Sequence, residues 1–336
     1  MRMKCAALLA AGLSTAAFAQ EEDVVMLYGR VFLTAASSEA TGGSTPLPAR
    51  TVIGDQASLL GVRSIENLGG DVKGFVQIET SFRADSNNGA FADRNSAVGL
   101  QGTWGTVLIG RWDSPFKVAT LVVDAYGDLT PSGFTGVLDD LGNFHRRVVN
   151  IVQYWSPNMG GMVFRYADKA RNTPDLDLEP RVHAASLRLS RAGIYAFAAW
   201  EAHETRTARE KGVALGGTYL IGPWKLGGQY QKFDKTNLTD TRAWMANAIF
   251  TLGRSQFIGQ YMRSKGGAAY GALQPDCNSW SVAYQYIFSS RTSVMASYVR
   301  VDNNEKGICN LGGGNALPIQ PGQDPRSFWA GIAHLF

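Results

Sequence analysis

From Val24 to Phe336 the chain divides into short segments in which apolar and polar residues alternate with a period of two. The cleanest is Val72 to Arg83. Val72, Gly74, Val76, Ile78 and Phe82 fall on one side, and Lys73, Gln77, Glu79 and Arg83 on the other. A strand sends successive side chains to opposite faces, so this segment has one apolar and one wet face. Sixteen such segments are read: 24–36, 58–66, 72–83, 94–104, 106–112, 147–155, 162–168, 182–190, 194–203, 212–220, 224–232, 242–252, 255–263, 279–288, 292–301 and 327–336. A soluble β-sandwich hides its apolar faces in a core and rarely needs so many strands. A barrel that spans a membrane turns the apolar faces to lipid and the wet faces to a water-filled lumen. No run approaches the roughly 18 consecutive apolar residues of a transmembrane helix.

The connections alternate in length. Short turns at 69–71, 105, 156–161, 191–193, 221–223, 253–254 and 289–291 interleave with polar loops at 37–55, 84–93, 113–146, 169–181, 204–211, 233–241, 264–278 and 302–326. Short turns at one end, long loops at the other and an even strand number predict a 16-stranded antiparallel transmembrane β-barrel of the outer-membrane type. Aromatic residues near strand ends (Tyr154, Trp155, Trp200, Trp224, Tyr230, Trp244, Tyr284, Tyr286, Phe288 and Trp329) are expected to form the two interfacial girdles.

One stretch breaks the pattern. Asp113 to Arg146 has no alternation and carries Gly127, Pro131, Gly133, Gly136 and Gly142 with Asp113, Asp124, Asp128, Asp139 and Asp140. A structureless loop of this length is uncommon in a compact domain and usually functional. If its flanking strands close into a barrel, the lumen is open to it. The loop is therefore expected to fold inward and narrow the pore.

The N-terminus reads as an export signal. Met1 to Lys4 is basic, Cys5 to Leu13 is apolar, and Ala17-Phe-Ala19 is a small-x-small end, which predicts cleavage before Gln20 and a barrel domain over 20–336. Loss of Arg2 and Lys4 with the leader takes the net charge of +4 down by two, too weak a balance for a nucleic-acid partner. Beyond the leader the cysteines are Cys277 and Cys309, candidates for a disulfide in the oxidising compartment that export implies. With no CxxC and no tight ligand spacing, neither a metal nor another cofactor is expected.

The alternation also assigns the charges. If Leu27 and Val31 face lipid, Arg30 faces the lumen, and the same reasoning sends in Arg63, Lys73, Arg83, Arg111, Arg147, Arg165, Arg188 and Lys225, with Glu79 the acidic exception. A charge on the lipid face costs about 2–4 kcal/mol at the midplane, which favours lumen placement. Arg63, Arg83, Arg111 and Arg147 are the leading candidates for the constriction, opposed by the loop acids Asp124 and Asp128. A basic wall facing an acidic loop sets a transverse field and a modest preference for anions. The competing roles for these arginines are to bind lipopolysaccharide phosphates at the rim or to pair with carboxylates that pin the loop.

Several stretches carry a family resemblance. Ser58-Leu-Leu-Gly-Val-Arg-Ser-Ile-Glu-Asn-Leu-Gly-Gly-Asp-Val-Lys-Gly-Phe-Val-Gln-Ile-Glu79 resembles the strand-turn-strand signature of the general outer-membrane porins of β-proteobacteria, the neisserial type. So do Leu27-Tyr-Gly29, Arg94 to Leu100, Trp104 to Arg111, Asn150 to Pro157, and the ending Gly331-Ile-Ala-His-Leu-Phe336. The resemblance implies a homotrimer of sixteen-stranded barrels in the outer membrane, each with its third long loop in the lumen. It also implies passive diffusion of small hydrophilic solutes and ions.

Three other functions compete with a general channel. A barrel enzyme would need a positioned nucleophile, base and orienting acid, and none of His145, His183, His203 and His334 sits in such a motif. A substrate-specific channel would, with this basic lumen, take small anionic solutes such as carboxylates or phosphate. A plugged structural barrel would fill its lumen with apolar side chains and few unpaired charges.

Overall fold

The structure is a computed structural model that describes residues 23–336 apart from 87–89, 128–129, 139–143, 172–179, 236–237 and 267–275. The expected leader at 1–19 and the loop acids Asp128, Asp139 and Asp140 lie outside the described residues.

The strands are β1 (Val24–Gly42), β2 (Leu47–Asp55), β3 (Leu59–Gly69), β4 (Val72–Ser81), β5 (Ser96–Gly102), β6 (Gly105–Asp113), β7 (Arg147–Trp155), β8 (Met162–Lys169) and β9 (Arg181–Arg191). The second half holds β10 (Ile194–Glu204), β11 (Arg209–Ile221), β12 (Trp224–Lys235), β13 (Leu238–Leu252), β14 (Ser255–Lys265), β15 (Cys277–Ile287), β16 (Thr292–Asn303) and β17 (Gln323–Leu335). Each pairs antiparallel with its neighbour, and β1 pairs with β17 from Arg30↔Leu335 to Gly42↔Gln323, which closes the sheet. On its other edge β1 pairs with β3 through Val24–Arg30 and with β2 through Leu33–Ala40. Strands β2 and β3 are thus one stave interrupted at residues 56–58, and the closed barrel has sixteen staves.

The interruption is held by side chains. Ala57 takes a positive φ of 55°, which frees the carbonyls beside it from the ladder. Arg30 donates to the Gln56 carbonyl (3.1 Å) and the Ala57 carbonyl (2.9 Å), and Ser58 Oγ accepts from Phe32 N (2.9 Å). Backbone polar groups in an irregular segment need such partners, so Arg30 faces inward as expected but is committed to the wall.

The first long loop is shorter than the sequence suggested. Residues 47–55, read as part of a loop on the strength of Gly42, Gly43, Pro46 and Pro48, are strand β2 paired back on β1. Pro48 is accommodated because it falls at the register shift between the pairs Ser38↔Arg50 and Ala40↔Leu47, a bulge where no ladder N–H is asked of it. At the short-turn end, Ala192 and Gly193 join β9 to β10 with φ of 53° and 80°, the two-residue primed turn whose twist matches antiparallel strands.

Face assignment follows the alternation. On β4, Phe75, Gln77 and Glu79 are buried inward while Val76 and Ile78 are exposed outward. Val98 and Ile109, paired across β5 and β6, are 60% and 57% exposed, which marks the lipid face. The girdle expectation holds for Trp224, Tyr230, Trp244, Tyr284 and Phe288 on the outer face. It fails for Trp329, fully buried inside the barrel, and for Trp155, which contacts the inward Trp112 at 5.6 Å.

Candidate constriction site

The segment between β6 and β7 folds inside the barrel and builds its own packing. It holds α1 (Pro115–Leu121) and α2 (Thr135–Leu138). The start of α1 follows from its sequence: Ser114 Oγ accepts from Lys117 N at 3.1 Å, and Pro115 occupies the first turn, where its missing N–H is harmless. Phe116, Phe134 and Phe144 are fully buried. Phe144 stacks on Phe233 (5.0 Å) and on His203 (4.7 Å), fixing the returning limb against β10 and β12. An exposed loop would not carry this apolar content. It is the signal that the segment forms a core with the barrel wall.

Polar contacts lay the segment along the wall from β10 to β17. Tyr195 Oη donates to the Ala119 carbonyl (2.9 Å), Asn247 Nδ2 to the Val123 carbonyl (2.7 Å), and Gln260 Oε1 accepts from Ala125 N (3.1 Å). Trp329 Nε1 donates to Ser132 Oγ at 2.9 Å, and Ser132 and Ser297 share a 3.0 Å hydroxyl contact. Burial, with a smaller push from the Asp124 carboxylate, raises the Tyr126 phenol to about 12.

The two ends of the segment are tied at its root. Arg147 Nη2 lies 3.2 Å from Asp113 Oδ1, and Lys117 Nζ lies 3.6 Å from the same oxygen. Asn95 sits between them, donating to Asp113 Oδ2 (3.0 Å) and accepting from Arg147 Nε (2.8 Å). Glu79 continues this network on the inner wall, accepting from Tyr28 Oη (2.8 Å) and Asn95 N (3.2 Å).

The expected constriction residues therefore separate. Arg63 and Glu79 face the lumen near one another, with the Arg63 guanidinium 5.1 Å from the Phe75 ring centroid. Arg147 pins the loop root. Asp124 is buried inside the segment, its oxygens accepting from Gln260 Nε2 (3.0 Å), Tyr126 N (3.2 Å) and Phe134 N (3.1 Å). It holds the loop's shape and offers no free acid face to water. Arg83 lies past the end of β4, exposed in the following loop. Lys73 faces inward beside the short turn, six residues from Glu79 and so about 20 Å away along the strand.

Arg111, expected in the lumen, faces outward. It shares a face with Val107 and Ile109, between the inward residues Gly110 and Trp112, so its side chain leaves the lumen. It stands two residues from the loop end of β6, near the interface, where a cation on the lipid side costs only about 0–1 kcal/mol.

A pair of arginines outside that leading set is the more telling feature of the wall. On adjacent strands, Arg165 pairs with Ser186 and Arg188 with Val163, which sets the two guanidiniums diagonally on the inner face. Arg165 lies 4.4 Å from the Trp155 ring centroid and repels Arg188. Among the described residues neither has a carboxylate partner. The side-chain alternation sends both inward; the lack of a carboxylate ion pair, invisible in sequence, sets them apart.

Finally, Cys277 and Cys309 are joined in a disulfide, which ties the segment between β16 and β17 to the start of β15.

A sequence model of the Gram-negative porin family matches residues 5–306. The chain is 25% identical to outer membrane porin protein 32 of Delftia acidovorans over the full length of both. It is 31% identical to the major outer membrane protein P.IB of Neisseria gonorrhoeae over 48% of this chain and 46% of that protein. Among solved structures it superposes on the anion-selective porin of Comamonas acidovorans with a TM-score of 0.77, at 22% identity, covering 94% of this chain and all of that one. The trimer form of OmpT from Vibrio cholerae matches with a TM-score of 0.67 at 16% identity, over 94% and 99% of the two chains. The closed barrel, its inward third loop and these matches lead to one conclusion: the chain belongs to the Gram-negative porin family, whose members are channels of the outer membrane and not enzymes.

Proposed function

We propose that this porin passes small hydrophilic solutes by diffusion with a modest preference for anions, and that Arg165 and Arg188 contribute to that preference. The carrying observation is an imbalance of free charge. The described acids of the inward segment are consumed, Asp113 by Arg147 and Lys117 and Asp124 by its own loop and Gln260, while Arg165 and Arg188 face the lumen without a carboxylate ion pair. Uncompensated cations in a low-dielectric frame concentrate anions and repel cations. The description of the Comamonas protein as anion-selective agrees with this reading.

The test is the reversal potential across a KCl gradient in planar bilayers, for wild type and for Arg165→Gln/Arg188→Gln. Anion preference that falls in the double variant supports the assignment. Cation preference in the wild type, or an unchanged ratio in the variant, overturns it.

The same reading takes the channel as a homotrimer in contact with lipopolysaccharide. A trimer form is described for the Vibrio relative. On the outer face, Arg263 and Arg300 stand beside Trp244 and Trp280 at the loop end of the girdle, a suitable place to meet lipid phosphates. A band at three times the monomer mass in unboiled gels, lost on boiling, tests the assembly.

A further inference from the structure

The segment between Asn303 and Gln323 also folds inward. Cys309, Leu311, Asn315 and Leu317 are all buried. Asn303 holds its first turn, donating from Nδ2 to the Cys309 carbonyl (2.8 Å) and accepting at Oδ1 from Cys309 N (2.9 Å). Asn310 closes its second turn, with Nδ2 donating to the Leu317 carbonyl (2.6 Å) and Oδ1 accepting from Leu317 N (3.1 Å). From there the segment reaches two other walls. Asn315 Oδ1 accepts from Gln56 Nε2 (2.5 Å) at the break between β2 and β3.

The second wall is the inward loop itself. Asn310 N donates to the Gly136 carbonyl (2.9 Å), and Gly312 N donates to the Pro131 carbonyl (3.0 Å). The contact is close enough to require glycine on both sides. A Cβ at Gly136 would lie 2.1 Å from the Asn310 carbonyl oxygen, and one at Gly312 would lie 2.5 Å from that of Thr130. The last segment and α2 therefore touch backbone to backbone inside the barrel.

We propose that the last segment is a second, inward-folded wall of the channel, and that the Cys277–Cys309 bond is the latch that keeps it against the third loop and so limits conduction. This rests on the channel reading above. Leu311 and Leu317 anchor the segment, but three of the first five residues past the latch are glycines (Gly312, Gly313 and Gly314), so its ordering is entropically costly. The disulfide restricts the conformations the segment takes when undocked, which favours the docked one. Without it, only non-covalent contacts, those to Gly136, Pro131 and Gln56 and the packing of Leu311 and Leu317, hold the segment in, and the path beside α2 opens more often and more widely.

Three perturbations read the same quantity, the unit conductance of single channels in planar bilayers. Cys277→Ser/Cys309→Ser removes the latch. Gly136→Ala forces the two segments apart with the latch intact. A dithiol reductant added to assembled wild-type channels cuts the latch without refolding: two electrons and two protons convert the disulfide to two thiols, and the reductant closes to its own cyclic disulfide. Unit conductance raised roughly 1.5-fold or more by loss of the disulfide and by Gly136→Ala supports the proposal. Conductance unchanged by all three overturns it and leaves the channel reading standing. A rise with Gly136→Ala alone overturns the latch. A wild type that does not conduct overturns both readings. Should the serine variant fail to assemble, the reductant and Gly136→Ala decide between the same outcomes.

Discussion

Arg147 and Asp113 face each other at 3.2 Å where the inward loop leaves and re-enters the wall, so one ion pair joins residues that the whole loop separates in sequence. Removing one partner of a largely buried pair leaves the other charge without compensation, and the expected cost is about 3–5 kcal/mol before relaxation and the remaining Lys117 contact reduce it. Arg147→Gln is expected to lower the unfolding temperature and increase spontaneous closures in single-channel records. Records as quiet as wild type would place the loop's anchorage elsewhere.

Gln260 is the hub of the loop's far end. Its amide serves Asp124, Ser132, Ala125 and Asn247 at once. Truncation to Ala leaves buried groups unpaired at about 1–3 kcal/mol for the site. Gln260→Ala should expose Lys117 to trypsin while leaving the barrel's strand signal in circular dichroism intact.

Phe144 is fully buried between Phe116, Phe233 and His203. Phe144→Ala is expected to destabilise the docked loop by about 3–5 kcal/mol, through lost transfer energy and the cavity left behind. Phe144→Leu should recover most of it. Thermal unfolding in detergent separates the two variants.

Tyr126 supplies an alkaline signature. Its phenol ordinarily ionises near 10, and burial raises it to about 12, so the docked loop favours the neutral form. The stability this contributes is complete below pH 10 and disappears as pH rises through 12. Wild type should show a phenol that ionises late, in a near-ultraviolet titration from which the Tyr126→Phe curve is subtracted. The difference curve centred near 10 would mean the phenol is solvated.

Arg111→Gln, on the outer face, should leave the reversal potential unchanged. A shift comparable to that expected for Arg165→Gln/Arg188→Gln would return Arg111 to the lumen.

The barrel was legible because every stave has to satisfy lipid on one side and water on the other, and that demand is written residue by residue in segments such as 72–83. The first loop misled because Gly42, Gly43 and Pro46 are breakers that do mark a turn, while Pro48, read with them, sits at a bulge inside strand β2. The site was less legible. Arg111, expected in the lumen, shares its face with the outward Val107 and Ile109, and near the interface a cation on the lipid side costs too little to turn it inward. Asp124 carries the same letter whether it faces water or accepts three hydrogen bonds inside a loop. The partners that decide between these roles come from β14 and from Phe134, far along the chain or across a fold that no local pattern encodes.

The seam between β1 and β17 has a consequence for how the molecule is made. The strands that close the barrel are the first and the last of the described chain, so the largest loop in sequence must be gathered before either finds its partner. Until then β1 and β17 each present an unpaired row of N–H and C=O groups that would template association with other chains. Closure is therefore the step at which an aggregation-prone ribbon becomes an edgeless object, and slow closure exposes this protein more to misassembly than weak packing of any single stave.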